Sequence, residues 1–259
     1  MVICDIMQCM TKTIVANWKM NPQSQKEAEA LFGGTLKEVK KIKNTQIIVC
    51  PPFPFLFISK KFKNKNMILG SQNVSRESEG SYTGEVSPKM LISMGVKYVI
   101  VGHGERRRDG ETNNIVNEKI LNLVKSGLFP ILCIGENSRD KDGFYLSFVG
   151  DQLHDCLKGI TRSQMKNIII AYEPIWAIGK NATREATKEE FMEMKIFIKK
   201  IISDIYDPKV AHSVTILYGG SVNKDNAKSF MENDGSGGLL VGRDSINPKK
   251  FGAILSTLN

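Results

Sequence analysis

The chain is predicted to fold as an α/β protein, a single-domain (β/α)8 barrel, on three observations. Short β-branched runs recur along the whole length, helical patterns lie between them, and polar residues gather just after the runs. The runs are Ile14-Val15-Ala16, Ile47-Ile48-Val49, Met67-Ile68-Leu69, Tyr98-Val99-Ile100-Val101, Ile131-Leu132-Cys133-Ile134, Ile168-Ile169-Ile170, Val214-Thr215-Ile216-Leu217 and Leu239-Leu240-Val241. Each is continuously apolar rather than alternating, as expected of strands buried on both faces in a parallel sheet. Between them, Ser24 stands three residues before Glu27 and ahead of Ala28, Leu31, Phe32, Leu36 and Val39, a capping box followed by one apolar face. Thr187 and Glu190 repeat that pattern before Phe191, Met194, Phe197, Ile198 and Ile201. Gly127 stops a helix that begins near Thr112, and Asn223 is placed to start another. Eight strand–helix units in about 250 residues is the arithmetic of a closed barrel. An open doubly wound sheet would want a glycine-rich turn after the first run, and VANWKMNPQ offers none. No Ser/Gly-rich linker divides the chain, so residues 10–259 are expected to form one domain and residues 1–9 a loose extension ahead of Met10.

Composition narrows the partners. Hydrophobic residues make up 41% and charged residues 24%, ordinary for a globular protein. The formal charge of +9 favours anionic partners, phosphorylated metabolites and nucleic acids alike. The pairs Lys40-Lys41, Lys60-Lys61, Lys199-Lys200 and Lys249-Lys250 sit in polar stretches without interleaved aromatics. They read as solvated helix faces, so no nucleic-acid partner is expected. No apolar run approaches ~20 residues, and no membrane partner is expected. The leading MVICDIMQC lacks the basic lead and length of a secretory signal. The cysteines are Cys4, Cys9, Cys50, Cys133 and Cys156, odd in number and without CxxC spacing. Cys50 and Cys133 lie inside apolar runs and suit reduced thiols, so a cytoplasmic location is expected. No metal-ligand spacing is present, and neither a metal nor an organic cofactor is expected.

In such a barrel the chemistry sits on the loops that follow the strand C-termini. Here those positions read Asn17-Trp18-Lys19, Gln72-Asn73, His103-Gly104-Glu105, Glu136, Glu173, Gly219-Gly220-Ser221 and Gly242. Glu173 ends an apolar run and is followed at once by Pro174-Ile175-Trp176, so a rigid strand end carries a carboxylate and a loop begins beside it.

The stretches ANWKMN, GSYTGEVSP, VGHGERR, CIGE, AYEPIWAIG, YGGS and GLLVG occur in that order, and the series resembles that of the triosephosphate isomerases from Thr13 to the C-terminus. The resemblance implies a proton shift alpha to a carbonyl, interconverting dihydroxyacetone phosphate and glyceraldehyde 3-phosphate through an enediolate, in glycolysis and gluconeogenesis. It implies Glu173 as the base. His103 would be a neutral imidazole acting as electrophile, kept unprotonated by peptide N–H groups of a short turn at Gly104-Glu105-Arg106. His154 and His212 are expected to be incidental. Lys19 would stabilise the developing oxyanion with Asn17 beside it, and Glu105 would hold the lysine. Phosphate would bind backbone N–H groups at Gly179, Ser221 and Gly242, with Arg243 next to them. A lid over 174–184, comprising Pro174, Ile175, Trp176, Ala177, Ile178 and Gly179 at its start, would close over the intermediate, with Tyr218 and Ser221 latching it. This family's own lid is a standing example of such closure. Loop 73–86 would carry Thr83 to the rim of a second copy in an isologous homodimer.

Three positions depart from the family pattern. Gly104 stands where a serine that contacts the catalytic carboxylate is usual, removing one hydrogen bond of ~1 kcal/mol. The segment after Gly179 is longer than usual, with Lys180 and Asn181 in place of threonine and glycine. Arg243 replaces the second glycine of the eighth loop. The longer loop and the arginine also resemble erythrulose-phosphate isomerases, the same chemistry on a sugar one carbon longer. A third reading, a non-catalytic barrel binding phosphate compounds or nucleic acid, follows from the positive charge and gives the Asn17, Lys19, His103 and Glu173 set nothing to do.

Overall fold

The computed structural model describes residues 12–62, 65–179, 182, 184–231 and 237–258. The expected extension 1–9, with Cys4 and Cys9, and the lid positions Lys180 and Asn181 lie outside the described residues.

Eight parallel strands close into a barrel in chain order. They are β1 (Lys12–Asn17), β2 (Thr45–Cys50), β3 (Met67–Ser71), β4 (Tyr98–Val101), β5 (Phe129–Ile134), β6 (Ile169–Tyr172), β7 (Ile216–Tyr218) and β8 (Gly238–Val241). β8 returns to β1 with Thr13 opposite Gly238 and Ala16 opposite Val241. Helices α1 (Gln25–Val39), α2 (Pro88–Ser93), α3 (Gly104–Arg108), α4 (Asn113–Lys125), α5 (Phe144–Cys156), α6 (Arg162–Met165), α7 (Lys188–Ile205), α8 (Pro208–Ser213), α9 (Ala227–Met231) and α10 (Pro248–Ser256) surround it. After β2 the outer ring is completed by a 3-10 segment, Phe53–Lys61.

All eight runs read from the sequence are strands, with one shift worth explaining. β7 starts at Ile216 rather than Val214, because the Val214 N–H bonds the Val210 carbonyl and closes α8. Helix starts follow their caps. Thr187 and Glu190 form a full capping box at α7. At α1 only half of the expected box is made: Ser24 accepts from the Glu27 N–H, while the Glu27 carboxylate takes the N–H of Gln23 instead.

Strand alternation then decides what reaches the rim. Ile14 and Ala16 pack outward against the helices, whereas Val15, Ile48, Cys50, Ile100, Ile131, Cys133, Ile169, Ala171, Leu217 and Leu240 fill the barrel interior. Side chains alternate with period two. Two residues past the interior positions 15, 171, 217 and 240 stand Asn17, Glu173, Gly219 and Gly242, at the C-terminal mouth. The fold therefore lifts one layer of polar and glycine residues onto the top of an apolar plug.

Candidate active site

Lys19 follows β1 in a left-handed backbone conformation, with φ of 52°. A non-glycine residue there costs on the order of 1–3 kcal/mol, so its surroundings must hold it. Its N–H donates to Asn17 Oδ1 at 3.0 Å, and Gln72 Nε2 donates to its carbonyl at 2.8 Å and to that of Cys50 at 2.9 Å. Asn17 is buried, and its own carbonyl accepts from Ser245 Oγ at 3.2 Å. The lysine side chain reaches across to Glu105, with Nζ 2.6 Å from Oε1. Partial burial works against the Glu105 charge, but the Lys19 ammonium outweighs it and the carboxyl titrates below its usual range.

His103 caps α3, and its Nδ1 accepts the Glu105 N–H at 3.2 Å. That bond leaves the ring proton to Nε2, which lies 3.2 Å from Glu173 Oε1. Glu105 Oε2 lies 3.8 Å from Nδ1 on the other side. An unbroken line of groups runs Lys19, Glu105, His103, Glu173 across the mouth.

Glu173 is 2% exposed. Its Oε2 accepts the Gly104 N–H at 2.9 Å, while Oε1 has no hydrogen-bond partner among the described residues. The missing hydroxyl at 104 thus leaves a backbone donor on the carboxylate. Gly219 makes room for it: an added Cβ there would lie 2.9 Å from Glu173 Cγ. Below it, burial and then the neighbouring Glu173 charge push the Cys133 thiol far above its usual range.

The expected lid begins as a 3-10 turn, Ile175–Ala177, and Gly179 adopts φ of 77°. Trp176 Nε1 donates to Glu136 Oε1 at 2.8 Å, and the Arg184 guanidinium lies over the indole, 4.4 Å from the ring centroid. Pro174, Trp176 and Ala177 are buried, Ile175 and Ile178 half-buried. Tyr218 is buried and stacked on Phe230, with ring centroids 3.7 Å apart. Ser221 is half-buried, and its carbonyl accepts from Asn226. Gly242 precedes a 3-10 turn, Arg243–Ile246, and the Arg243 residue is exposed. Loop 73–86 is closed at its neck by Ser75 N–H to Val86 O at 2.8 Å, and Tyr82, Thr83 and Gly84 are exposed at its tip.

Several groups that shape the site had no assigned role in the sequence. Gln72 clamps the Lys19 turn. Under β4, the buried Glu111 carboxylate accepts the Gly102 N–H at 3.0 Å and pairs with Lys119, which also reaches Asn73. Gln152 bonds both the N–H and the carbonyl of Gly135. For Gln72 the available signal was its place two residues past an interior strand position; Glu111, Lys119 and Gln152 come from helices or loops and carried none.

The family model described as triosephosphate isomerase matches residues 12–258. The triosephosphate isomerase of Aquifex aeolicus is 40% identical over 249 residues, 95% of this chain and 99% of the relative. That of Dictyoglomus thermophilum is 39% identical over 249 residues, with the same shares. A Thermoanaerobacter relative of the same name is 40% identical over 251 residues, 95% of this chain and 100% of its own. The chain belongs to the triosephosphate isomerase family.

Proposed function

We propose that the chain interconverts dihydroxyacetone phosphate and D-glyceraldehyde 3-phosphate, as a step of glycolysis and gluconeogenesis. The observation that carries this is the line Lys19–Glu105–His103–Glu173, which sets a free carboxylate oxygen 3.2 Å from an imidazole nitrogen at the barrel mouth. Glu173 takes a proton from C1 of the ketose, and the electron pair flows through the new C1–C2 double bond onto the carbonyl oxygen. The Nε2–H of His103 and the Lys19 ammonium stabilise that oxyanion, with Asn17 beside them. His103 moves a proton between the two oxygens, and Glu173 returns its proton to C2. Glu105 holds the ammonium in place. A neutral imidazole fits, since Nδ1 already accepts a backbone N–H and Nε2 is left as donor.

The phosphate binds backbone N–H groups at Gly179, Ser221 and Gly242, with the Arg243 N–H at the start of its turn. The lid from Pro174 to Gly179 closes over the intermediate and excludes water, strengthening the electrostatic contacts inside, and Tyr218 and Ser221 hold it shut. Two copies associate through loop 73–86, bringing Thr83 to the partner's rim. The exposure of Met20 (82%), next to Lys19, and of Tyr82 at the loop tip supports this, because both are large apolar groups left uncovered. The enzyme works in the cytoplasm, in keeping with buried free thiols at Cys50, Cys133 and Cys156.

Initial rates with both triose phosphates and with D-erythrulose 4-phosphate test the reading. The expected result is the highest kcat/KM for a triose phosphate. A higher value for the four-carbon sugar, or no isomerisation of any of the three, overturns it.

A further inference from the structure

Gly104 is the residue whose N–H holds Glu173, and its side-chain position is already occupied. A Cβ built there would overlap Ile175 Cδ1, yet would sit 3.6 Å from Glu173 Oε2 and 3.7 Å from Ile175 Cγ1, both ordinary contacts. One methyl group of the lid's second residue therefore fills the notch. Beside the notch lies a cavity of about 640 Å³ between α3, α4 and α5, lined by Arg108, Phe148 and Asp151 and also by Gly104, Ile175 and Glu173.

We propose that Gly104 and Ile175 are a packed positioning pair: the bare face of Gly104 seats the Ile175 Cδ1 methyl, and that contact sets Glu173 against His103. This rests on Glu173 being the base. The backbone gives the contact its leverage. The Ile175 N–H is tied to the Glu136 carbonyl at 3.0 Å, and Trp176 is tied to the Glu136 carboxylate, so the start of the lid does not yield readily. A side chain at 104 must instead push the start of α3 outward. The Gly104 N–H and the His103 ring move with it, and both face Glu173. A displacement approaching 1 Å at reacting groups costs on the order of 100-fold in rate. The backbone of Gly104 is outside the left-handed region, so alanine is penalised there by the collision and not by its φ.

The test is a size-exchange cycle, measured on enzyme whose wild-type form isomerises triose phosphates. Gly104→Ala is expected to lower kcat by about tenfold or more with KM within about twofold. Ile175→Val, which deletes only the colliding methyl, lowers kcat by less than about threefold. Combining them, Gly104→Ala/Ile175→Val, restores kcat to within about threefold of wild type, because the new methyl takes the vacated place. A merely structural role would show in melting temperature and leave no rescue of kcat. If Gly104→Ala folds poorly, the doubly substituted protein is the decisive sample, and its failure to regain activity overturns the proposal. So does an unchanged kcat in Gly104→Ala, or losses that simply multiply in the combination. An inactive wild type would instead sink the assignment of the reaction.

Discussion

Two carboxylates emerge side by side at the tops of neighbouring strands, Glu136 after β5 and Glu173 after β6, and both are all but inaccessible at 1% and 2% exposure. Their surroundings are opposite. Oε1 of Glu136 accepts from the Tyr172 hydroxyl at 2.7 Å, from Trp176 Nε1 at 2.8 Å and from Arg139 Nε at 3.2 Å. Burial and then the Glu136 charge push the Tyr172 hydroxyl well above its usual range, so it stays a donor. Burial opposes the charge of Arg139, but Tyr172, Glu193 and Glu136 outweigh it and hold the guanidinium protonated. Among the described residues, Glu173 has one backbone N–H and one imidazole beside it and no ion pair with a lysine or arginine. Oε2 of Glu136 and Oε1 of Glu173 each lack a hydrogen-bond partner among the described residues, so the difference lies in the other oxygen: three donors, one of them a guanidinium, on Glu136, and one backbone N–H on Glu173. A buried carboxylate held by a guanidinium and two further donors suits a strut; one with a single backbone donor and an imidazole beside it suits the base we propose.

The sharpest way to break that contrast is to remove each charge at constant shape. Glu173→Gln is expected to lower kcat by about 10²–10⁴-fold, the range for loss of a general base, while the melting temperature stays near wild type. Glu136→Gln should do the reverse. Losing charge-assisted hydrogen bonds to Arg139 and Trp176 costs about 2–3 kcal/mol, a fall in melting temperature of roughly 5–10 °C, with a smaller loss of kcat. Steady-state rates and thermal melts on the two proteins decide it; matching effects would mean the carboxylates are not divided in this way. A subtler check uses Cys133. Because burial and the Glu173 charge suppress its thiolate, it should resist iodoacetamide at pH 8 in the folded protein and react only on unfolding, as mass spectrometry would report. Rapid native labelling would place water against Glu173.

The smallest expected effect lies at the far end of the lid. Arg184 grips the Glu190 carboxylate, and this pairing, against some opposing burial, takes the Glu190 pKa from 4.5 to about 2. A carboxyl whose pKa is lowered by folding binds fewer protons folded than unfolded, so its stabilisation is complete above pH 4.5 and fades as pH falls toward 2. The difference in melting temperature between wild type and Glu190→Gln should therefore shrink across that window. A pH-independent difference would remove the ion pair from the account.

The barrel was legible because its signals are local and repeated. Eight buried runs, each ended by a polar or glycine position, leave little freedom in the topology, and strand parity alone carries Asn17, Glu173, Gly219 and Gly242 to one rim. The division of labour between the two glutamates was not legible. CIGE and AYEP both end an apolar run in a carboxylate, and only the family resemblance made Glu173 the expected base. What separates them comes from residues distant in sequence: Trp176 and Tyr172 converge on one, and Gly104 on the other. The same applies to Gly104. As a letter in the sequence it reads as a lost hydroxyl, whereas in the fold it is a backbone donor with an isoleucine methyl where its side chain would be. The Lys119–Glu111 pair beneath β4 was equally hidden, since nothing local marks a lysine of a helix as buried.

The most direct test of the central claim follows the proton itself. Dihydroxyacetone phosphate incubated with the protein in deuterium oxide should acquire deuterium at C1, and the glyceraldehyde 3-phosphate formed should carry it at C2. With Glu173→Gln both signals, read by NMR, should fall together by the same large factor. Carbon exchange that continues at the wild-type rate in that variant would show that another group takes the proton, and the reading of Glu173 would be contradicted.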